Sequence, residues 1–241
     1  MKATKSPLFQ KQFGVALASA IILAWGGLLA FNLTNEVQWF HPLTWVLVII
    51  QTHLFTGLFI TAHDAMHRTV SPNKKLNNFI GWIAAGLFAF NYYPKLTHNH
   101  YKHHGWVAEE TDPDYHDGPF WAWYFNFMKN YIGIIQVILM AITYNVLERI
   151  AGFQEANLLL YWVAPSFLST LQLFYFGTYL PHKDPEEAGN KHKSTSQAKN
   201  HVMAFLKCYF FGYHYEHHEY PATPWWLLYK VKEQEEAAAS Q

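Results

Sequence analysis

Hydrophobic positions in this chain gather into long unbroken blocks instead of alternating with polar ones. Residues 13–31 carry no charge, and a helix of that length crosses the hydrocarbon core of a bilayer. Residues 44–61, 131–147 and 157–180 form three more uncharged runs. The last contains Pro165, which membrane helices tolerate better than soluble ones. A fifth run, 79–93, is short for a span and suits an interfacial or re-entrant segment. The pattern predicts an all-α integral membrane protein: about four transmembrane helices, interfacial helices, and one domain over 1–241. The first run is expected to stay uncleaved, because its small residues Ala16, Ala18 and Ala20 lie inside it and not at a cleavage site beyond it.

Charge refines this picture. Only 14% of residues are charged, with 17 Lys and Arg against 17 Asp and Glu. This excludes a disordered acidic chain and removes the basic surplus expected of a nucleic-acid binder. With four spans and the N-terminus inside, the outer loops are 32–43 and 148–156, and Arg149 is their only Lys or Arg. The positive-inside rule then places the N-terminus, with Lys2, Lys5 and Lys11, on the cytoplasmic side. Aromatic clusters at Trp39-Phe40, residues 121–125 and Trp225-Trp226 fit interfacial belts, with core packing equally open for the last. The polar tail 233–241 is expected to fray. Cys208 is the only cysteine, so neither an intramolecular disulfide nor a cysteine-based metal cluster can form.

Histidine is the compositional outlier, at 15 residues. It pulls mean hydropathy down to −0.06 without interrupting the apolar runs. Nine histidines fall in three short windows, 63–67, 98–104 and 214–218. His63 and His67 stand at i and i+4, on one face of a helix. His100, His103 and His104, then His214, His217 and His218, repeat the i, i+3, i+4 pattern. Each window follows an apolar run and emerges at the inner face in the four-span topology. Neutral imidazole is the commonest metal ligand. Eight of them on one side of a membrane exceed a tetrahedral zinc site and suit two metal ions, iron among those that imidazole accepts. His182, closing the fourth run, is expected to be a ninth ligand.

The other polar residues near the windows are less directive. His98 points away from His100 on a helix, and is open between surface and support. Asp64 is expected to accept the second N–H of a metal-bound imidazole, and Glu216 and Glu219 are open between that role and solvated charge. The acidic stretch 109–114, with its turn-forming Asp-Pro, is open between capping the site, docking a partner and a solvated loop, the last being the simplest reading. His53 reads as a satisfied buried histidine, His41 as an outer residue, and His116, His192 and His201 as surface residues.

Such a site in a membrane points to oxygen activation on a lipid-soluble substrate. Electrons must come from outside, because the chain carries no dinucleotide fingerprint. The windows resemble the three histidine boxes of the membrane fatty-acid-desaturase and hydroxylase superfamily. The words around them are similar to those of bacterial and cyanobacterial β-carotene ketolases: Thr61-Ala62-His63-Asp64-Ala65-Met66-His67, Asn99-His100-Tyr101-Lys102-His103-His104-Gly105-Trp106, Phe176-Gly177-Thr178-Tyr179-Leu180-Pro181-His182, and Gly212-Tyr213-His214-Tyr215-Glu216-His217-His218-Glu219-Tyr220-Pro221. The resemblance runs from the second span to Trp226.

It implies a non-haem di-iron oxygenase that sets a 4-keto group on β-ionone rings, converting β-carotene to echinenone and canthaxanthin, with zeaxanthin as a further substrate. It implies two iron ions held by His63, His67, His100, His103, His104, His182, His214, His217 and His218. O2 is the co-substrate and reduced ferredoxin the implied electron donor. C4 is allylic, so its C–H bonds are weak. Two hydroxylations there, followed by loss of water, give the ketone. Thr178 departs from the asparagine that some acyl desaturases place four residues before the extra histidine. The alternatives on the same metal site are a carotenoid ring 3-hydroxylase, an acyl-lipid desaturase and an alkane hydroxylase. A histidine-rich membrane protein that stores or transports metal is the non-enzyme alternative.

Overall fold

The uncharged runs fold as helices whose ends converge where the histidine windows begin. A computed structural model describes residues 8–187 and 189–239. Lys2 and Lys5 of the basic N-terminal flank, and Ser240 and Gln241 of the tail, lie outside the described residues. Ten helices follow in order: α1 Leu8–Thr34, α2 Pro42–Met66, α3 Lys74–Leu87, α4 Tyr93–Gly105, α5 Phe120–Tyr131, α6 Ile134–Ile150, α7 Glu155–His182, α8 His201–Cys208, α9 His214–Glu219 and α10 Leu228–Ala239. No strand occurs among the described residues.

α1, α2 and α7 are each long and apolar enough to cross a membrane. α2 is the central element and packs against α1, α3 and α7. Its inward side buries Phe55, Leu58 and Ile60 completely. Its other side leaves Leu43, Trp45, Val46 and Ile49 exposed, the surface expected of a lipid-facing helix. α3 has 14 residues and is not a span. It lies on α2 through Ile80, Ala84 and Ala85 while Phe79 and Trp82 face outward. This matches the expectation for the short fifth run.

The third uncharged run departs from expectation. Residues 131–147 are not one straight span. Tyr131 ends α5, Ile132 and Gly133 take extended backbone, and α6 leaves at 84° to α5. The pair counts as a span only as a broken one. An uncharged run shows where helix is affordable in lipid, but not where an extended dipeptide interrupts it. The first twelve residues of α6 bury no side chain at all.

α7 contains two π turns, Leu159–Val163 and Tyr175–Tyr179. Pro165 and Pro181 follow them closely. A proline lacks the N–H of an α-helical bond and its ring crowds the carbonyl four residues back. Those carbonyls belong to Tyr161 and Gly177, inside the two π turns, where the wider helix makes room. The second π turn delivers His182. The tail also departs from expectation. It is helical to Ala239, held by Glu233 on His201, Glu236 on Lys199 and Glu235 on Tyr220.

Candidate metal centre

Four elements bring nine imidazoles together. The last turn of α2 supplies His63 and ends at His67. α4 supplies His100, His103 and His104, the end of α7 supplies His182, and α9 supplies His214, His217 and His218. α9 is aimed by a sharp turn after α8, where Tyr209 and Phe210 adopt left-handed φ of 46° and 65°. Such backbone costs about 1–3 kcal/mol per residue. Here the turn is fixed by Phe210 N–H donating to the Ala204 carbonyl and by fully buried Tyr213. The Tyr213 hydroxyl in turn bonds Asn200 N–H and His201.

The imidazoles form two groups. His63, His67, His100, His104 and His217 make one, and His103, His182, His214 and His218 the other; within each, the ring nitrogens lie within 4.8 Å of one another. Two windows are divided between the groups. His100 and His104, one turn apart, serve the first, while His103 between them serves the second. On α9, His214 and His218 serve the second and His217 the first. The groups touch, with the rings of His104 and His218 stacked at 4.2 Å.

The donor set fits metal ions. Nε2 atoms approach one another at 2.6 Å for His67 and His100, 3.0 Å for His104 and His217, and 3.1 Å for His103 and His218. His182 and His218 stand at 2.9 and 3.0 Å from His214. Nitrogens bound about 2.1 Å from a common centre lie about 3 Å apart. Both ring nitrogens of His63 are buried with no hydrogen-bond partner, an arrangement that is costly without a ligand. Burial pushes the His67 pKa down to about 4. Burial, then the nearby imidazoles, pushes His104 to about 2 and holds His100, His214, His217 and His218 well below the usual value. These rings stay neutral and available as ligands at physiological pH.

His103 is the exception. Burial disfavours its charge, but Asp114 and the Asp112 hydrogen bond outweigh this and raise its pKa. Its Nδ1 lies 3.0 Å from both Asp112 oxygens, which also accept from Ala108 N–H and Asp114 N–H at 2.9 Å each. Asp112 is buried, in the stretch that sequence pattern reads as a solvated loop. Asp64 was the residue expected to do this work. Its carboxylate stops 3.6 Å from His63 Nδ1, short of a hydrogen bond, and accepts from the Trp225 backbone N–H at 3.1 Å. It therefore ties α2 to the segment before α10. Buried Trp225 accordingly belongs to the core.

The two glutamates also turn away from the nine rings. Glu216 is buried against Lys232 at 3.0 Å and Ser196, and Glu219 pairs with Lys191 and His192. His192 lies closer to the site than a surface reading implies, 5.5 Å from the His218 ring. His98 is exposed and outside both groups. His53 stacks on Tyr209 at 4.3 Å, with Nε2 unpartnered.

A cavity of about 520 Å³ opens onto the two groups. His63, His100, His103 and His214 form its floor, and apolar side chains of α2, α6 and α7 its walls. Thr178 lies near the floor and Leu159 at the other end, 19 residues apart on α7 and so about 28 Å at 1.5 Å per residue. The cavity is long and largely apolar.

Comparison with known proteins decides the family. The fatty acid desaturase family model matches residues 37–154 and 134–241. The chain belongs to the fatty acid desaturase family. Within it, the chain groups with the carotenoid ketolases. It is 37% identical to a zeaxanthin 4-ketolase of Chlamydomonas reinhardtii over 94% of this chain and 54% of that protein. It is 41% identical to β-carotene 4-ketolase 3 of Haematococcus lacustris over 75% of this chain and 59% of that protein. It is 36% identical to a β-carotene ketolase of Paracoccus sp. PC1 over 90% and 91%. The chain thus spans just over half the length of the two algal relatives and nearly all of the bacterial one. No solved structure matches it. In this desaturase-family chain, Asp112 is the residue near the histidines that pattern reading missed. The signal was faint: an Asp-Pro turn with another aspartate two residues on, eight to ten residues after a histidine window.

Proposed function

We propose that this chain is a carotenoid 4-ketolase acting on β-carotene, and on ring-hydroxylated carotenoids such as zeaxanthin, from within the bilayer. The observation that carries the reading is the long, mostly apolar cavity with the histidines at its floor. It suits a rod-like polyene with a compact ring at its tip. The nine histidines would hold two iron ions, five at one and four at the other. The iron would supply O2 activation and the oxidising power to replace the allylic C–H bonds at C4.

The protein does the rest. α2, α6 and α7 grip the polyene and exclude water, the cavity floor stops the ring beside the histidines, and Asp112 fixes the tautomer of His103. Two hydroxylations at one carbon and loss of water give the ketone. The electrons come from a reduced ferredoxin-type donor at the cytoplasmic face. The basic inner loops support that sidedness, with the N-terminus and the histidines on the same side.

Expression in a bacterial host that makes β-carotene, with His217→Ala as control, tests the reading by pigment separation. Echinenone and canthaxanthin formed only by the intact chain are the expected result. Ring 3-hydroxy products would move the function to a ring hydroxylase. Unchanged β-carotene beside membrane-inserted, iron-loaded protein and an active donor would overturn it.

A further inference from the structure

The cavity wall beside the histidine floor carries one acid and one phenol that the reading above leaves unused. Asp114 and Tyr131 both line the cavity whose floor carries His100 and His103. The Tyr131 hydroxyl donates to Asp114 Oδ1. Asp114 Oδ2 takes no hydrogen bond from the described residues, and both side chains are half-buried. The pair is firmly built. Asp114 N–H donates to Asp112, the Trp123 indole N–H donates to the Asp114 carbonyl at 2.6 Å, and Asn130 holds the preceding Pro113 carbonyl at 2.8 Å. The loop after α4 and the end of α5 are thereby locked around an acceptor in a mostly apolar chamber. A hydrocarbon ring has nothing to offer that acceptor. The alcohol left by the first hydroxylation has one O–H donor and two lone pairs.

We propose that Asp114 and Tyr131 form a hydroxyl subsite that holds the half-oxidised ring for its second hydroxylation. The inference rests on the ketolase reading and adds the means by which two rounds occur on one carbon before release. Asp114 Oδ2 accepts the alcohol proton in a hydrogen bond, and the Tyr131 hydroxyl lies within the same polar patch. A bond to a charged acceptor in a dry site differs by about tenfold or more in residence from one absent. Tyr131 and Asp114 are positioning residues here, since they bind the intermediate and exchange no electrons with it.

The test is the ratio of alcohol to ketone in pigments from cells expressing the intact chain, Tyr131→Phe or Asp114→Asn, alongside metal content of each purified protein. The expected result is a rise of about tenfold in 4-hydroxy over 4-keto rings in Asp114→Asn, with a smaller rise in Tyr131→Phe. General damage to the fold lowers both products together and leaves the ratio alone. An unchanged ratio in Tyr131→Phe and Asp114→Asn overturns the inference. So does complete loss of oxidised pigment in Tyr131→Phe at intact metal content, because the pair would then act before any alcohol exists. An intact chain that oxidises no ring fails the ketolase reading itself, and the inference with it.

Discussion

Asp112→Asn is the most informative single change near the histidines, because the structure shows why asparagine cannot stand in for aspartate. Each carboxylate oxygen accepts one backbone N–H at 2.9 Å, Oδ1 from Asp114 and Oδ2 from Ala108, and both lie 3.0 Å from His103 Nδ1. An asparagine presents an NH2 to one of those backbone donors whichever way it is turned. The variant therefore loses one buried hydrogen bond outright, about 1–3 kcal/mol, and the negative charge that fixes His103. Loss of such a support typically costs about 10–100-fold in metal affinity. The effect should fall on the group of four, which contains His103, and spare the group of five. Chelator competition on detergent-purified protein measures this directly. The wild-type chain should release two equivalents of iron at similar chelator concentrations, whereas Asp112→Asn should release one of them at a concentration about 10–100 times lower. His103→Ala should mimic it, and the double variant should add little further. Two equivalents retained with wild-type affinity in Asp112→Asn would refute the assignment.

Two further outcomes follow from other parts of the molecule. Lys232→Met leaves Glu216 of α9 buried without its cation, which should cost about 3 kcal/mol; thermal melting in detergent should fall by about 6–12 °C, and an unchanged melt would show the pair to be idle. A Cβ at Gly177 would meet only Phe211, at 3.7 Å, so Gly177→Ala should keep ketone formation, while Gly177→Phe should fill the cavity near its floor and abolish it with iron content intact. Ketone formation by Gly177→Phe at the wild-type rate would mean that the substrate takes another route.

Much of this was legible in the sequence because it is written in periodicity. Spans announce themselves as uncharged runs, and α2 and α7 begin and end within a few residues of theirs. Eight of the nine histidines are identifiable because i, i+3, i+4 spacing puts imidazoles on one helical turn, and His182 because it closes the fourth uncharged run; the structure brings all nine together. Their division into five and four was not legible, since it depends on how α4 and α9 are rotated against α2 and α7. Asp112 stayed hidden because a loop has no period, and a carboxylate with two backbone donors looks in sequence like any other acidic residue. Asp64 misled for the opposite reason. Adjacency to His63 along a helix points the two side chains about 100° apart, so a neighbour in sequence is a poor partner for the ring. The break at Ile132 and Gly133 was invisible to hydropathy, which sums over residues and ignores backbone direction.

The bareness of α6 has a consequence for how such a protein meets its substrate. Val137, Met140, Ala141 and Tyr144 face the cavity, yet the first twelve residues of this helix bury no side chain. This wall of the chamber is a helix with no buried side chain of its own in that stretch. If the substrate is the proposed polyene, the reservoir from which the chamber fills is the oily interior of the bilayer, a two-dimensional solvent in which such a molecule is already dissolved. What sets occupancy is the mole fraction of pigment among lipids, and the aqueous concentration of a molecule that scarcely enters water drops out of the description.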